Sequence, residues 1–380
     1  MSSTTDQRPI GPLDLAAERA VLGPALVEAV NRVLESGAYV LGPEVKAFEE
    51  EFAAYQGAKY GIGVGSGTDA LLVAMRALGL PVGAKVLTSP FTFFASAGAI
   101  AWLGARPTFV DVDPETALMR VDQVESALDD ETAGIVPVHL YGQLVDVEAL
   151  RKLADPRGLW VLEDAAQAHG ASFDGARSGV HGHAAAFSFY PTKNLGAAGE
   201  GGMVLSTDGE LACQCAQLRD HGSTAKYVHS HVGTNSRLQA MQGAVLRLKL
   251  PHLETWNERR RFNAARYSAA FETSDAIQPL RVDPRAVHVY HQYAVRIVGD
   301  EGARDRVQER LAAKGISAAV HYPRPVHVQE AAREWGYGPG DFPGAETLAS
   351  QVLCLPVHPF LEPAEVDRVA EAALAAAAEG

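Results

Sequence analysis

Phe187-Ser188-Phe189-Tyr190-Pro191-Thr192-Lys193-Asn194-Leu195-Gly196 sets an aromatic, apolar run against a turn that holds a single lysine, and Glu200-Gly201-Gly202 follows a few residues later. The run reads as a buried strand and the glycines as the turn after it. A lysine is normally a solvated surface charge. Between an apolar strand and a glycine-rich turn, Lys193 should instead be enclosed. An enclosed amine loses its proton more readily, attacks carbonyls and serves as a mobile general base.

Working outward, other strand-like runs precede this one: Ala84 to Leu87, Arg106 to Val112, Gly134 to Val138 and Trp160 to Leu162. Helical patterns lie between them, among them Ala70 to Leu80 and Asp146 to Ala154. The alternation predicts an α/β fold, a mostly parallel sheet covered by helices. Such sheets bind ligands at the carboxyl ends of their strands. Trp160-Val161-Leu162-Glu163-Asp164 places two carboxylates at such an end, with Gln167 one helical turn beyond Asp164. A carboxylate there caps a following helix, or else faces the ring nitrogen of a pyridine cofactor. Gly63-Val64-Gly65-Ser66-Gly67-Thr68 leads into another helix. Its backbone N–H groups suit a phosphate, although a plain helix cap has the same composition. It matches neither the Walker nor the dinucleotide pattern.

With 380 residues, 47% hydrophobic and 21% charged, the chain should form two soluble domains. From about Leu250 the pattern changes. Pro251 to Tyr267 reads as a long polar-faced helix, followed by a strand (His291 to Val298), a helix (Asp305 to Lys314), a short strand (Ile316 to His321) and a final helix from Ala364. The expected division is 1–250 for the large domain and 251–380 for a smaller α+β one. A net charge of −13 argues against nucleic acid or an acidic membrane as partner. No apolar stretch reaches the length of a membrane span, and Met1 to Gly11 lacks the form of a secretory signal. Three cysteines, Cys213, Cys215 and Cys354, suit a reducing cytoplasm and no metal site.

These segments resemble the DegT/DnrJ/StrS nucleotide-sugar aminotransferases, a branch of the fold type I enzymes that use pyridoxal phosphate (PLP). The likeness extends to Pro137-Val138-His139-Leu140-Tyr141-Gly142-Gln143, Gly233-Thr234-Asn235-Ser236-Arg237-Leu238 and His321-Tyr322-Pro323. It implies that Lys193 forms the internal aldimine, that Asp164 pairs with the pyridine nitrogen and that Gln167 bonds near the phenolic oxygen. By the same resemblance Phe93 stacks on the ring (Phe91 and Phe94 stand beside it), and Gly67, Thr68 and Ser188 hold the phosphate. Asn235 would reach that phosphate from the neighbouring subunit, which implies a homodimer with shared sites. Tyr190, His321 and Tyr322 are candidates near the sugar. Gln239 and Ala240 stand where the family usually has an acidic pair, which puts a surface or interface contact in doubt.

The implied reaction carries nitrogen from L-glutamate to PLP, giving the pyridoxamine form (PMP), and then to a nucleotide-linked keto sugar. The run from Asp220 to Leu238, with Leu253 to Arg259, most resembles enzymes that aminate C3 of dTDP-3-keto-6-deoxyhexoses in deoxyamino-sugar and antibiotic biosynthesis. Other readings are a 4-keto-sugar or cyclitol-ketone aminotransferase, a PLP-dependent sugar dehydratase and a non-catalytic PLP- or sugar-binding regulator. The dehydratases carry histidine in place of the lysine, so Lys193 speaks against them.

Overall fold

The computed structural model describes residues 8–379; the stretch 1–7, part of the segment in which no secretory signal is expected, lies outside them. Among the described residues, seven strands form the central sheet, in the order Tyr60–Val64, Gly202–Ser206, Ala184–Ser188, Trp160–Asp164, Thr132–Val136, Lys85–Thr88, Arg106–Phe109. All pairs are parallel except the two made by Gly202–Ser206, which runs antiparallel to both neighbours. The sheet is therefore mostly parallel, as its alternating pattern implies.

Trp160–Asp164 and Ala184–Ser188 are buried at every position. That is why they read as continuous apolar runs rather than alternating ones. Successive residues still point to opposite faces. Trp160, Leu162, Ala184 and Ala186 pack with the helices Gly67–Ala77 and Ala95–Trp102. Ala185 and Phe187 pack with Gly42–Gln56 and Ala240–Lys249 on the other side.

A second, antiparallel sheet orders Ile277–Pro279, Tyr293–Ile297 and Val352–Leu355. Its core gathers residues from the helices Leu253–Phe271, Ala303–Ala313 and Pro363–Ala378, and Ile10 from the start of the chain joins them. The run Ile316 to His321 does not form the expected strand: Ile316 makes an isolated bridge to Ile10 and Ala319 another to Cys354. Among the described residues no helix is long and apolar enough to cross a membrane.

Leu253–Phe271 departs from its polar appearance. Its buried face includes Trp256, Asn257, Arg260, Asn263, Ala264, Tyr267 and Phe271, so three polar side chains point inward. Buried amides and guanidinium groups must find partners. Asn257 bonds the His169 carbonyl at 2.8 Å, Asn263 the His358 carbonyl at 3.1 Å and Arg260 the Tyr290 carbonyl at 3.1 Å. The helix is thus pinned to loops of both sheets by hydrogen bonds.

Candidate active site

Because residues alternate along Trp160–Asp164, the two terminal carboxylates part company. Glu163 points away from the Gly67–Ala77 face and is fully buried. It accepts from the backbone N–H groups of Gly179 (2.9 Å), His181 (3.0 Å) and Gly182 (2.8 Å), and bonds His139 Nε2 at 2.9 Å. His139 Nδ1 accepts from Val145 N–H, so Nε2 carries the proton. Burial pushes the Glu163 carboxyl up, but His139 and the loop amides outweigh it and hold it below the usual range. Glu163 fastens a loop.

Asp164 turns to the other face, at the carboxyl end of the sheet. Ser96 donates its hydroxyl to Asp164 Oδ2 at 2.7 Å, and Ala166 N–H reaches Oδ1 at 3.2 Å. Burial raises the carboxyl, and these two hydrogen bonds oppose it. The residues after Asp164 form successive turns, closed by Ala168 N–H to Ala165 and Ala171 N–H to Ala168, and not the helix expected there. Gln167 is held another way. Its Oε1 accepts from Tyr141 N–H at 2.6 Å, which leaves the donor Nε2 facing the Tyr322 hydroxyl at 3.4 Å. Tyr141 has φ +59°, a left-handed backbone, and its hydroxyl donates to the His321 carbonyl.

Ser188 ends the strand beside Trp160–Asp164, on the same face as Asp164. Gly67, the first residue of its helix, lies against it. A Cβ on Gly67 would fall 2.6 Å from Ser188 Cβ, and one on Gly202 would fall 2.2 Å from the Ser66 carbonyl oxygen. The two glycines let the turn cross Gly202–Ser206 and bring a helix N-terminus to the Ser188 hydroxyl. Ser66 caps that helix, accepting from Asp69 N–H at 3.1 Å. The Gly67 and Thr68 amides are among those a helix start leaves without intrahelical acceptors. Thr68 is exposed.

Lys193 lies five residues beyond Ser188, partly buried, its N–H bonded to the Tyr190 carbonyl at 2.9 Å. Burial lowers its amine to about 8, with the Asp164 carboxylate pulling the other way. The His321 imidazole is lowered by burial and by Lys193. The three phenylalanines separate clearly. Phe91 is fully buried, Phe94 stacks on Trp335 at 6.0 Å, and Phe93 is 59% exposed with its ring 6.1 Å from that of Tyr322. Tyr190 is 47% exposed. Asn235 lies on the outer surface, where Arg237 donates to its Oδ1 at 3.0 Å.

The structure thus gathers Lys193, Asp164, Gln167, Ser188, Gly67, Phe93, His321 and Tyr322 around one end of the sheet and leaves Asn235 on the exterior. Ser96 and Tyr141 were not singled out from sequence. Ser96 lies 68 positions from Asp164 in a small-residue helix, and no local pattern marks it. These residues fit pyridoxal phosphate: a cup that a Cβ would fill, a helix start whose Gly67 and Thr68 amides have no intrahelical acceptors, one buried carboxylate and one lysine with a lowered pKa.

Comparison with known proteins agrees. The model of the DegT/DnrJ/EryC1/StrS aminotransferase family matches residues 22–374. A "Pleiotropic regulatory protein" of Geobacillus stearothermophilus is 45% identical, with 94% of this chain and 96% of that one covered. The dTDP-3-amino-3,4,6-trideoxy-alpha-D-glucose transaminase of Streptomyces venezuelae is 43% identical, with 98% and 97% covered. The crystal structure of S. venezuelae DesV in complex with a ketimine intermediate superposes with a TM-score of 0.94 at 43% identity, over 98% of this chain and 99% of that one. Matched over most of its length by the family model and by relatives of 43–45% identity, the chain belongs to the DegT/DnrJ/EryC1/StrS aminotransferase family.

Proposed function

We propose that the chain is a PLP-dependent aminotransferase that moves nitrogen from L-glutamate to C3 of a dTDP-linked 3-keto-6-deoxyhexose. The observation that carries the reading is Lys193, a lysine lowered to about 8 by burial, on the loop beyond Ser188 and within the field of Asp164. When bound, pyridoxal phosphate supplies an electron sink for the carbon beside the transferred nitrogen. The chain's own groups do the rest. Near neutral pH part of the Lys193 amine is unprotonated, which suits it to attack a carbonyl and to carry a proton between carbons. Asp164, buried against Ser96, holds a negative charge where a ring N–H would need one. The Gly67 and Thr68 amides with the Ser188 hydroxyl hold the phosphate, and the second N–H of Gln167 Nε2, beside the one facing Tyr322, donates to a ring oxygen. Phe93 covers the ring, and Tyr190, His321 and Tyr322 lie towards the sugar. In a homodimer Asn235 would complete the partner's phosphate site.

The choice of a C3 ketone is supported by the S. venezuelae relative, whose name specifies a 3-amino sugar. One relative is named a regulatory protein, and a regulator that only binds would show no turnover. A cytoplasmic setting fits the free thiols of Cys213, Cys215 and Cys354.

The test is spectroscopic. Purified protein loaded with PLP should change its visible absorbance on addition of L-glutamate, and Lys193→Ala should lose that change. No half-reaction with any amino acid donor would refute the assignment. With a panel of 3-keto and 4-keto nucleotide sugars, a product aminated at C4 by NMR would overturn the choice of carbon.

A further inference from the structure

Asn194, immediately after Lys193, is buried and fully committed. Its Nδ2 donates to Asn257 Oδ1 at 2.8 Å and to the Val289 carbonyl at 3.0 Å. Its Oδ1 must then be the acceptor for His291 Nδ1 at 3.2 Å, so that ring nitrogen carries the proton. Asn257 is fully buried and equally committed, because its Nδ2 donates to the His169 carbonyl at 2.8 Å. One amide on the helix Leu253–Phe271 therefore touches both chemical segments. Through His169 it holds the turns that carry Asp164 and Gln167, and through Asn194 it holds the turn that carries Lys193.

The fit is tight on each side. A Cβ on Gly170, beside His169, would lie 2.9 Å from Asn257 Nδ2 and 2.5 Å from the Tyr55 hydroxyl. His291 is itself fixed, its N–H bonded to the Tyr141 carbonyl at 2.8 Å. The charge that bears on Lys193 is the Asp164 carboxylate; burial and then Lys193 lower the imidazoles of His169, His291 and His321 around it. Neither asparagine carries a charge, so their influence on Lys193 is one of placement.

We propose that Asn257 is a positioning residue: acting through Asn194, it clamps the Lys193 turn against the Asp164–His169 segment and keeps the lysine amine in its enclosed place. The proposal rests on the reading of Lys193 as the reactive amine. It assigns a role in the site to a helix that contributes no side chain to the cofactor cup.

The test uses the full chain without cofactor. Acylation of each lysine by acetic anhydride is followed against pH by peptide mass spectrometry, with exposed Lys46 as the internal reference. In wild type the Lys193 profile should have its midpoint near the lowered value of about 8. In Asn257→Leu, which keeps the branched shape of the side chain and removes the amide, the midpoint should rise by about one unit, a roughly tenfold change in free amine at a fixed pH. Lys46 should not move. Asn194→Ser, too short to reach both Asn257 and Val289, should give the same shift, and it decides the matter if Asn257→Leu does not fold. The double variant should shift no further than either single one, as expected of two groups acting as a unit. A fall in thermal midpoint with an unchanged Lys193 profile would show that Asn257 only stabilises the fold and would overturn the proposal. So would additive shifts. Failure of wild type to link PLP through Lys193 would instead sink the functional reading, and the acylation profiles would still judge the clamp.

Discussion

The Ser96 hydroxyl donates to Asp164 Oδ2 at 2.7 Å, so the strand-end carboxylate that faces the proposed cofactor cup is oriented by a serine on the helix Ala95–Trp102. Thr92 Oγ1 stands 2.9 Å from Ser96 Oγ. With the serine proton given to Asp164, Thr92 becomes the donor to Ser96. The chain Thr92–Ser96–Asp164 is buried throughout.

Ser96→Ala should loosen that chain without touching the phosphate cup. A hydrogen bond to a charged group contributes about 1.5–3 kcal/mol, so PLP affinity should fall by about tenfold or more. Equilibrium titration of the cofactor-free protein with PLP measures the change. An affinity equal to wild type would mean that Asp164 is oriented without Ser96.

Gly67→Ala introduces a Cβ 2.6 Å from Ser188 Cβ. Relief requires the helix start or the strand end to move, at a cost of about 1–3 kcal/mol for overpacking. Urea unfolding should show the loss, and phosphate-dependent binding of PLP should weaken with it. Ser188→Gly removes the atom that clashes. The double variant should therefore be more stable than the sum of the single changes predicts.

Glu163→Gln keeps the side chain's shape and exchanges one acceptor for an N–H₂ group among the Gly179, His181 and Gly182 amides and His139. Replacing a buried, fully bonded carboxylate in this way should cost about 3–5 kcal/mol in denaturant unfolding. The wild-type carboxyl is held below its usual value, so its stabilisation is present above the unfolded pKa and is lost as pH falls through the folded one. The gap between wild type and variant should therefore shrink in acid. PLP affinity of the folded variant should be near that of wild type, because Glu163 points away from the cup.

Lys193 behaves in the opposite sense. Its folded-state value, about 8, lies below the ordinary lysine value of 10.5, so the unfolded chain binds its proton more tightly. Enclosing Lys193 thus destabilises the cofactor-free fold fully below about 8, and the penalty disappears as pH rises to 10.5. Lys193→Met should be the more stable protein at pH 7, by on the order of 1–2 kcal/mol, since the group is only partly buried. The advantage should shrink between pH 8 and 10.5 in paired urea titrations. A constant difference across that range would mean that the amine is not perturbed.

Much of this was legible because burial leaves a local mark. Trp160–Asp164 and Ala184–Ser188 are buried on both faces and so are spelled in apolar residues, and the lysine turn follows directly. Other elements were hidden for equally physical reasons. Gly63 and Val64 read as part of a glycine turn, yet they end the strand Tyr60–Val64, whose glycines are there for close packing: a Cβ on Gly61 would meet the Glu49 carbonyl at 2.6 Å, and one on Gly63 would meet Leu238 at 3.0 Å. Asn257, Arg260 and Asn263 made a buried helix face look solvated, because the loop carbonyls to which they donate lie far away in sequence. Ile316 to His321 reads as a short strand but meets only isolated partners. Local pattern records whether a residue is buried, and is silent on which distant group it meets.

Asn235 tests the shared site. Arg237, itself bonded to Asp220 at 3.0 Å, occupies Asn235 Oδ1 at 3.0 Å, and no protein acceptor among the described residues takes the exposed Nδ2. A donor held outward in this way suits a phosphate presented by a second subunit. Asn235→Ala should weaken PLP binding with little effect on unfolding, since the side chain is exposed. Lys193→Ala should be inactive at any PLP concentration. If Asn235 serves the partner's cup, mixing the two variants through a denature–renature cycle forms hybrid dimers. In each hybrid one site would lack both groups and the other would retain both. Random pairing makes about half the dimers hybrids with one intact site each, so activity at limiting PLP should recover to about one quarter of wild type. If Asn235 instead served its own chain, no hybrid site would be whole, and mixing would add nothing to the activity of the Asn235→Ala protein alone.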